Sequence, residues 1–372
     1  MRVCFIATEI FSQGIFGGFG AITRSLAKGL SERGLDICVI MPRQKGQKPL
    51  EVTDNFIVVS YPGQSYSGWN KSRGFKHLFE AIDADIYHSE EPSVGTHLAL
   101  LGSPGKKHII TFQDPRTLKD RKREWIEAGT RGFSLVLQHA EMRFAYSKMK
   151  NAVRKADRLF IQAKYAAPKA MRIYGLKKPP HFLPCPVTIP TGRLIKSDQA
   201  TVCFLGRWDP RKRPEYFFEL ARRFPEVKFI SMGGCQPHFS ERESKLMEKI
   251  QDIPNLEITG WTFGEEKSRI LEKSWILINT SWRECLPRSY IEACAYKCAI
   301  LSHENPDDFA ANFGFWAQKG DIEDFAGGLE HLLLSNRWKE LGERGYAYVK
   351  DTFEYDKVIE DHIRIYEDLL QS

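Results

Sequence analysis

The chain has 372 residues, of which 42% are hydrophobic and 27% charged, so it can bury the cores of two domains of ordinary size. No apolar stretch approaches the roughly 18–20 residues of a membrane-spanning helix. The N-terminal MRVCFIATEI contains a glutamate and is followed by no small-residue cleavage site. A first β-strand is therefore favoured over a signal peptide, and we expect a cytoplasmic protein.

The charge is divided unevenly along the chain. Residues 1–190 contain 29 Lys and Arg against 16 Asp and Glu, whereas residues 191–372 contain 25 against 31. The densest basic runs, RTLKDRKREW (116–125) and SKMKNAVRKADR (147–158), are either solvated helix faces or a surface for an anionic membrane or acceptor. No motif typical of nucleic-acid binding is present, so we expect no nucleic-acid partner.

The eight cysteines form no CxxC pair, and most lie in apolar runs. This usage predicts reduced, buried thiols. Cys285, Cys294 and Cys298 are close enough in sequence to suggest a metal site. However, no histidine or further cysteine completes a ligand set with zinc-like spacing, so we expect no metal.

In chain order, the first half alternates strands with helices. The strand RVCFIAT is followed by a glycine-rich turn, SQGIFGGFG, and by a helix in which Ile22, Leu26 and Leu30 recur at helical spacing. A long helix is predicted over residues 117–156, and SVGTHLALLG is a shorter one. Further strands are predicted at DICVIM, NFIVVSY, ADIYHS, KHIITF and ADRLFIQ.

Five prolines in PPHFLPCPVTIPTG (179–192) mark a linker, after which a second alternating series begins. Its predicted strands are TVCFLGRW, EVKFISMGG, NLEITG, WILINTS and CAILS. We predict an α/β protein with two Rossmann-like, doubly wound domains, one at 1–185 and one at 190–354. Ligands of such sheets bind at the carboxyl ends of strands, which favours a site in the cleft between the domains.

Gly17 and Gly18 stand before the first helix in FGGFGAITRS. The spacing differs from G-x-G-x-x-G, and MPRQKGQ after the second strand lacks the acid that a dehydrogenase would use for ribose. The two glycines let the backbone pass close to a ligand at a helix N-terminus, although a tight structural turn explains them equally well.

Arg207 and Lys212 lie in a turn after the first strand of the second domain, in FLGRWDPRKRPEYF. Two cations at the carboxyl end of a strand can clamp a pyrophosphate, because arginine offers a donor fork and lysine a mobile charge. The alternative is a pair of ordinary surface residues.

Glu284 and Glu292 flank Pro287 in SWRECLPRSYIEACA. Proline suits the first helical turn, so a helix is predicted over Ser289–Lys297 with an anion site at its start. A carboxylate can accept from two vicinal hydroxyls, as in ribose or a hexose. The spacing therefore indicates a sugar nucleotide across the helix N-terminus, and the alternative is two solvated acids.

Together these motifs resemble those of retaining glycosyltransferases with the GT-B fold, and most of all glycosyltransferase family 4 (glycosyl transferases group 1). The resemblance covers nearly the whole chain and includes a terminal helix, 355–372, that in this fold packs on the first domain. It implies an acceptor-binding first domain and a donor-binding second domain. The implied reaction is metal-independent, retaining hexosyl transfer without a cofactor, in polysaccharide or glycolipid biosynthesis.

The resemblance also implies roles for individual residues. Arg207 and Lys212 would bind the diphosphate and stabilise the leaving nucleotide, Glu284 would contact the donor sugar, and Glu292 would hold the ribose. Gly17 and Gly18 would approach the donor from the first domain, and Trp261 and Thr262 would contact the base. The backbone amides of Leu286, Pro287 and Arg288 would complete the phosphate site. The implied donor would be a UDP-, GDP- or ADP-sugar, and the implied acceptor a hydroxyl of a glycan, lipid or small molecule. The basic first domain suggests peripheral attachment to the inner face of an anionic membrane.

Two positions depart from the family pattern. Many members carry T-x-H-D where this chain has Thr111-Phe112-Gln113-Asp114, so an acceptor-side histidine is replaced by Gln113, which cannot ionise. Lys297 replaces the glycine that usually follows the E-A-x-A helix, which we expect only to alter a turn. Three alternatives stay open: a glycogen- or starch-synthase-like glucosyltransferase, a sugar-nucleotide epimerase, and a catalytically silent glycan- or lipid-binding protein.

Overall fold

The computed structural model describes residues 1–10, 17–43, 46–62, 73–127, 129–236 and 240–372, except for the side chains of Arg73 and Ser335. Within these residues the chain divides into two compact units. Unit 1 comprises Met1–Pro186 and Asp356–Ser372, and unit 2 comprises Val187–Tyr355. The first change of unit falls inside the proline-rich segment 179–192.

The described residues of unit 1 form an eight-stranded sheet in the order β3-β4-β2-β1-β5-β6-β7-β8. Every neighbouring pair is parallel except β3 and β4. The strands are β1 (Arg2–Ile6), β2 (Asp36–Pro42), β3 (Leu50–Thr53), β4 (Phe56–Tyr61), β5 (Ile86–Ser89), β6 (Lys107–Phe112), β7 (Arg158–Ile161) and β8 (His181–Phe182).

Six described helices connect these strands. The prediction of one long helix over 117–156 is wrong, because two helices occupy this region and positive-φ glycines, Gly129 and Gly132, separate them. The helices are α1 (Gly18–Glu32), α2 (Lys76–Ile82), α3 (Val94–Gly102), α4 (Leu118–Glu127), α5 (Gly132–Lys155) and α6 (Ala167–Tyr174).

Unit 2 is a six-stranded, all-parallel sheet in its described residues, in the order β11-β10-β9-β12-β13-β14. Its strands are β9 (Thr201–Leu205), β10 (Lys228–Met232), β11 (Leu256–Gly260), β12 (Ile276–Asn279), β13 (Ala299–Ser302) and β14 (Gly314–Trp316). Its helices are α7 (Pro214–Arg223), α8 (Ser240–Ile250), α9 (Gly264–Lys273), α10 (Arg288–Ala295), α11 (Phe309–Phe313), α12 (Ile322–Leu333) and α13 (Arg337–Phe353). The prediction of two doubly wound α/β domains is confirmed.

The terminal helix α14 (Tyr355–Gln371) returns to unit 1, to which Asp356–Ser372 belong. Its apolar stripe is buried, and the Tyr366 hydroxyl lies 2.8 Å from Nδ1 of His88, the third residue of β5. Nε2 of His88 lies 2.7 Å from Oγ1 of Thr111 in β6. A buried polar chain therefore connects the C-terminal helix with two central strands of unit 1.

The eight cysteines are all buried and none forms a disulfide, as the sequence predicts. Each unit has its own apolar core, built in unit 2 around residues such as Phe204, Phe217, Phe229 and Ile276. In the part of the chain that the structure describes, no helix is long and apolar enough to cross a membrane.

Candidate active site

The carboxyl ends of the parallel strands of unit 2 bring together residues that are far apart in sequence. Arg207 follows β9, Gly233 follows β10, Trp261 follows β11, and the segment 280–284 follows β12. Because the strands are parallel, these residues lie along one edge of the sheet. This edge is where the sequence-predicted donor residues of unit 2 are found.

The turn that carries Arg207 is fixed by the neighbouring strand. The Trp208 N–H donates to the Gly234 carbonyl at 2.9 Å. Gly233 has φ +131°, and a Cβ placed on it would lie 2.0 Å from the Gly206 carbonyl oxygen. Only glycine fits there, and it allows the turns after β9 and β10 to approach each other closely.

Lys212 and Glu284 form a buried ion pair between the turn after β9 and the segment after β12. Thr280 Oγ1 donates to the Lys212 carbonyl at 2.6 Å, and the Trp282 N–H donates to the Arg211 carbonyl at 3.1 Å. Burial raises the pKa of Glu284, but the positive charges of Lys212 and Arg211 outweigh it and lower the pKa overall. Glu284 is therefore an ionised carboxylate beside a cation.

Arg207 lies on the same turn as Lys212, and Asp209 contacts both residues. Its Oδ2 is 3.3 Å from Nη2 of Arg207, and its Oδ1 accepts from the Lys212 backbone N–H at 3.1 Å. Arg207 remains about a quarter exposed, so its guanidinium can reach a ligand. The turn thus presents two cations on one short, internally bonded segment.

Helix α10 spans Arg288–Ala295, so it begins one residue earlier and ends two residues earlier than predicted. It begins at Arg288 because Pro287 before it is extended, with φ −64° and ψ 127°. One implied donor contact is wrong on chemical grounds. Proline has no backbone N–H, so Pro287 cannot donate to a phosphate, whereas Leu286 and Arg288 can. Pro287 lies at the N-cap position, directly before the first helical residue, Arg288.

Glu292 is held by two cations inside the second turn of α10. Its Oε1 accepts from Lys267 Nζ and from Arg288 Nε, each at 2.9 Å. Burial raises the pKa of Glu292, but the charges of Lys267 and Arg288 prevail and lower it to about 2. The carboxylate is ionised at every pH at which the protein would be assayed.

Two charged residues around this edge, Lys267 and Glu304, were not predicted from the sequence. Lys267 lies in the charged run EEKSRILEK, where nothing in the spacing distinguishes it from its neighbours. Glu304 follows β13, and its Oε2 accepts from the Glu284 N–H at 3.3 Å. An acid directly after a predicted strand, CAILSHE, is the signal that could have identified Glu304.

Trp261 and Thr262, the expected base contacts, follow β11. Thr262 is buried, and its hydroxyl lies 2.7 Å from Oγ1 of Thr259 and 3.1 Å from the Gly260 carbonyl oxygen. Trp261 is half-buried at the same edge. Both residues lie at the carboxyl end of β11, which is the edge strand of the sheet next to β10.

Gly17 and Gly18 lie in unit 1, where Gly17 is the extended residue before α1 and Gly18 is its first residue. Glu9 Oε1 accepts from the Gly20 N–H at 3.0 Å, and a Cβ on Gly17 would lie 2.1 Å from this oxygen. The missing side chain of Gly17 leaves room for the carboxylate of Glu9 at the helix N-terminus. Residues 12–16 of the predicted glycine-rich turn lie outside the described residues.

Gln113 and Asp114 follow β6 in unit 1. Their backbone N–H groups both donate to Oε2 of the buried Glu91, at 2.8 and 2.9 Å, and Asp114 pairs with Arg116 at 2.7 Å. The Gln113 side chain is 3% exposed, and neither of its polar atoms has a hydrogen-bond partner among the described residues. A buried amide of this kind can both donate to and accept from a hydroxyl.

Among the described residues, no group of three His, Cys, Asp or Glu side chains is arranged to hold a metal. Positive charge at the edge of unit 2 is contributed by residues that include Arg207, Lys212, Lys267 and Arg288. This arrangement suits a ligand with several negative oxygens and adjacent hydroxyls.

Sequence comparison matches two families along the chain. Residues 16–189 match Glycosyltransferase Family 4, and residues 188–348 match Glycosyl transferases group 1. No curated protein matches the chain in sequence.

Solved structures share the fold over essentially the whole chain. A sucrose-phosphate synthase from Thermosynechococcus elongatus has a TM-score of 0.76 at 14% identity, over 100% of this chain and 99% of that one. HepE from Anabaena, in complex with UDP-glucose, has 0.73 at 11% identity, over 99% and 100%. A TarM variant from S. aureus, in a complex that includes UDP, has 0.68 at 12% identity, over 100% of both chains. The chain is therefore a glycosyltransferase with the GT-B fold, similar to glycosyltransferase family 4.

Proposed function

We propose that the protein is a retaining, metal-independent glycosyltransferase that moves a sugar from a nucleotide-sugar donor to a hydroxyl of a glycan, lipid or small-molecule acceptor. The donor lies at the carboxyl edge of the unit 2 sheet. The acceptor hydroxyl attacks the face of the sugar from which the nucleotide leaves, and the leaving phosphate takes its proton.

The observation that carries this proposal is the Lys212–Glu284 pair beside Arg207. In the structure, the Glu284 carboxylate neutralises the charge of Lys212. A donor diphosphate offers Lys212 and Arg207 a stronger anion, and Glu284 is then free to accept from a hydroxyl of the donor sugar. The two cations stabilise the charge that develops on the leaving diphosphate, which is the contribution that a metal ion makes in other enzymes.

Glu292 supports the same placement of the donor. Lys267 and Arg288 both bind one oxygen, Oε1, and a carboxylate has about four acceptor positions in total. The remaining positions can accept from the two hydroxyls of ribose. Glu284 and Glu292 would then bind the two ends of one sugar nucleotide whose diphosphate lies near the start of α10.

The structural relatives indicate which donor base to test first. HepE is described in complex with UDP-glucose, and the TarM variant in complex with UDP. A UDP-sugar is therefore the first donor to test, with GDP- and ADP-sugars beside it. We place Gln113 and Asp114 on the acceptor side, where the unpartnered amide of Gln113 would bind an acceptor hydroxyl. The basic half of the chain is suited to peripheral attachment at an anionic membrane.

The test is release of nucleoside diphosphate from a panel of UDP-, GDP- and ADP-sugars without acceptor. An active transferase hydrolyses one donor slowly, a silent binder releases nothing, and an epimerase isomerises the donor instead. Retention is read from the anomeric configuration of the product by NMR.

The donor placement has its own test. Glu292→Ala should weaken nucleotide binding at least about tenfold, as measured by calorimetry, because the ribose loses its acceptor. Unchanged affinity would show that Glu292 does not bind the ribose. Glu323→Ala removes an exposed acid of unit 2 and is the matched control.

A further inference from the structure

Helix α5 carries two apolar faces, and only one of them is packed. Its buried side chains include Met142, Ala145 and Met149. On an α-helix, successive residues are rotated by about 100°. Phe133, Val136, Leu137 and Phe144 therefore share an arc of about 100° on the side opposite the buried residues. We name these four residues the α5 stripe.

The α5 stripe is exposed to solvent. Phe133 is 80% exposed, Val136 64% and Leu137 50%, and Phe144 is exposed to a similar extent. These side chains are not the edge of the unit 1 core, because they point away from it. The stripe runs for three turns, about 16 Å along the helix axis. Clustered large apolar side chains of this kind mark a surface for a partner.

The charges around the stripe decide what kind of partner fits. Residues 118–155 contain 10 Lys and Arg against 4 Asp and Glu. Arg143 is exposed on α5 itself, and Lys119 and Lys122 are exposed on α4, which packs beside it. Lys148 Nζ lies 5.3 Å from the centroid of the Phe144 ring. Glu141 is an exposed acid on the same helix.

We propose that the α5 stripe is the membrane-contacting surface of the protein, and that it inserts into a bilayer with anionic headgroups. An apolar stripe bordered by basic residues is the pattern of helices that lie in the membrane interface. Two copies of this basic surface would repel each other, which disfavours self-association through it. The inference rests on the membrane partner of the proposed function and names the surface that makes the contact; it does not depend on the donor chemistry.

The experiment is vesicle flotation of the full chain with phosphatidylcholine alone and with added phosphatidylglycerol, at low and high salt. The wild type should float with the anionic vesicles, more strongly at low salt. The double variant Phe133→Ser/Val136→Ser should bind at least about tenfold more weakly at either salt concentration. Lys119→Glu/Lys122→Glu should weaken binding mainly at low salt.

Leu334→Ser is the matched control, because Leu334 is an exposed apolar residue of unit 2, away from the stripe. Equal flotation of the wild type and the stripe variant would overturn the proposal. A dimer in light scattering that the stripe variant loses, without flotation, would assign the stripe to a second copy and also overturn it.

Release of nucleoside diphosphate by the same variants separates the two proposals. The stripe variant should retain the wild-type rate with a sugar nucleotide in solution. Flotation without turnover of any sugar nucleotide would support the membrane-contacting surface and contradict the proposed transferase activity. Turnover without flotation would support the transferase activity and contradict the membrane-contacting surface.

Discussion

The Lys212–Glu284 pair makes a prediction that separates binding from catalysis. Glu284→Gln keeps the shape of the side chain but removes the charge that competes with a diphosphate for Lys212. We expect nucleoside diphosphate to bind several-fold more tightly, and turnover to fall on the order of 100-fold because a contact to the reacting sugar is weakened. Calorimetry with the nucleoside diphosphate and steady-state rates measure the two effects.

Glu343→Gln is the control for this substitution, because it removes the carboxylate of a surface ion pair with Lys297. It should change neither the affinity nor the rate. Weaker diphosphate binding in Glu284→Gln would contradict the competition and would indicate that Glu284 only positions the lysine.

At the level of single residues, Arg207, Lys212 and Glu284 could be predicted from the sequence because they follow predicted strands. Lys212 and Glu284 are 72 positions apart, and parallel strands bring such residues to one edge. Lys267 could not be found in this way. Its contact with Glu292 depends on how α9 lies beside α10, and the charge pattern of neither helix indicates this packing.

At the level of elements, the end of α10 is formed by a lysine in a position that favours glycine. Lys297 has φ +60°, its N–H donates to the Cys294 carbonyl at 2.9 Å, and the Cys298 N–H donates to the Ala293 carbonyl at 2.9 Å. These two bonds form a Schellman motif. The prediction that Lys297 only alters a turn is therefore wrong, because Lys297 adopts the glycine conformation and keeps the motif.

This geometry predicts that Lys297→Gly is more stable than Lys297→Ala by about 1 kcal/mol, because only alanine retains the steric cost of the left-handed conformation. In the wild type, contacts of the Lys297 side chain partly offset this steric cost. Lys297 Nζ lies 2.8 Å from Glu343 and 5.0 Å from the centroid of the Tyr346 ring, and a half-exposed pair of this kind contributes roughly 0–1 kcal/mol. Denaturant unfolding measures the difference, and equal stability of the two variants would contradict the argument.

Central strands were predictable from the sequence, and three strands at sheet edges were not. The central strands β1, β2, β5 and β9 have four to seven residues with clear turn signals around them. The edge strands β3, β8 and β14, which have four, two and three residues, were not predicted. Such edge strands are formed by pairing with a neighbour that is already in place, so their own residues give little indication of them.

At the level of the whole molecule, the two units titrate in different ways. In unit 1, burial raises the pKa of Glu90 to about 8 and that of Glu91 to about 7. In unit 2, nearby cations lower the pKa of Glu284 and lower that of Glu292 to about 2, whereas burial raises the pKa of Glu304. Burial also lowers the pKa of four histidines of unit 1, namely His88, His97, His108 and His362.

The sign of each effect follows from proton linkage. Glu90 and Glu91 hold protons in the folded state that the unfolded chain has already released above its pKa near 4.5, so their stabilising contribution is lost as the pH rises to about 8. The histidines act in the opposite direction, since they are neutral when folded and disfavour folding as the pH falls below 6.5. Glu292 supports folding above pH 4.5 and ceases to do so only as the pH falls toward 2. Unit 1 should therefore be most stable near neutrality or just below it, and its free energy of unfolding should decrease toward both acidic and alkaline pH.

Glu90→Gln tests the alkaline decline, because glutamine resembles the protonated acid and has no proton to lose in this range. Between pH 7 and 8.5 the wild type should lose roughly 1 kcal/mol of unfolding free energy per pH unit in unit 1, and the variant should lose clearly less. Hydrogen exchange of peptides from β5 and β6 reports on unit 1, and that of β9 and β12 on unit 2, which keeps the two transitions apart. Glu80→Gln, at an exposed pair with Lys76, is the control and should follow the wild type. An alkaline slope in β5 and β6 that Glu90→Gln leaves unchanged would show that Glu90 is already ionised in the folded protein.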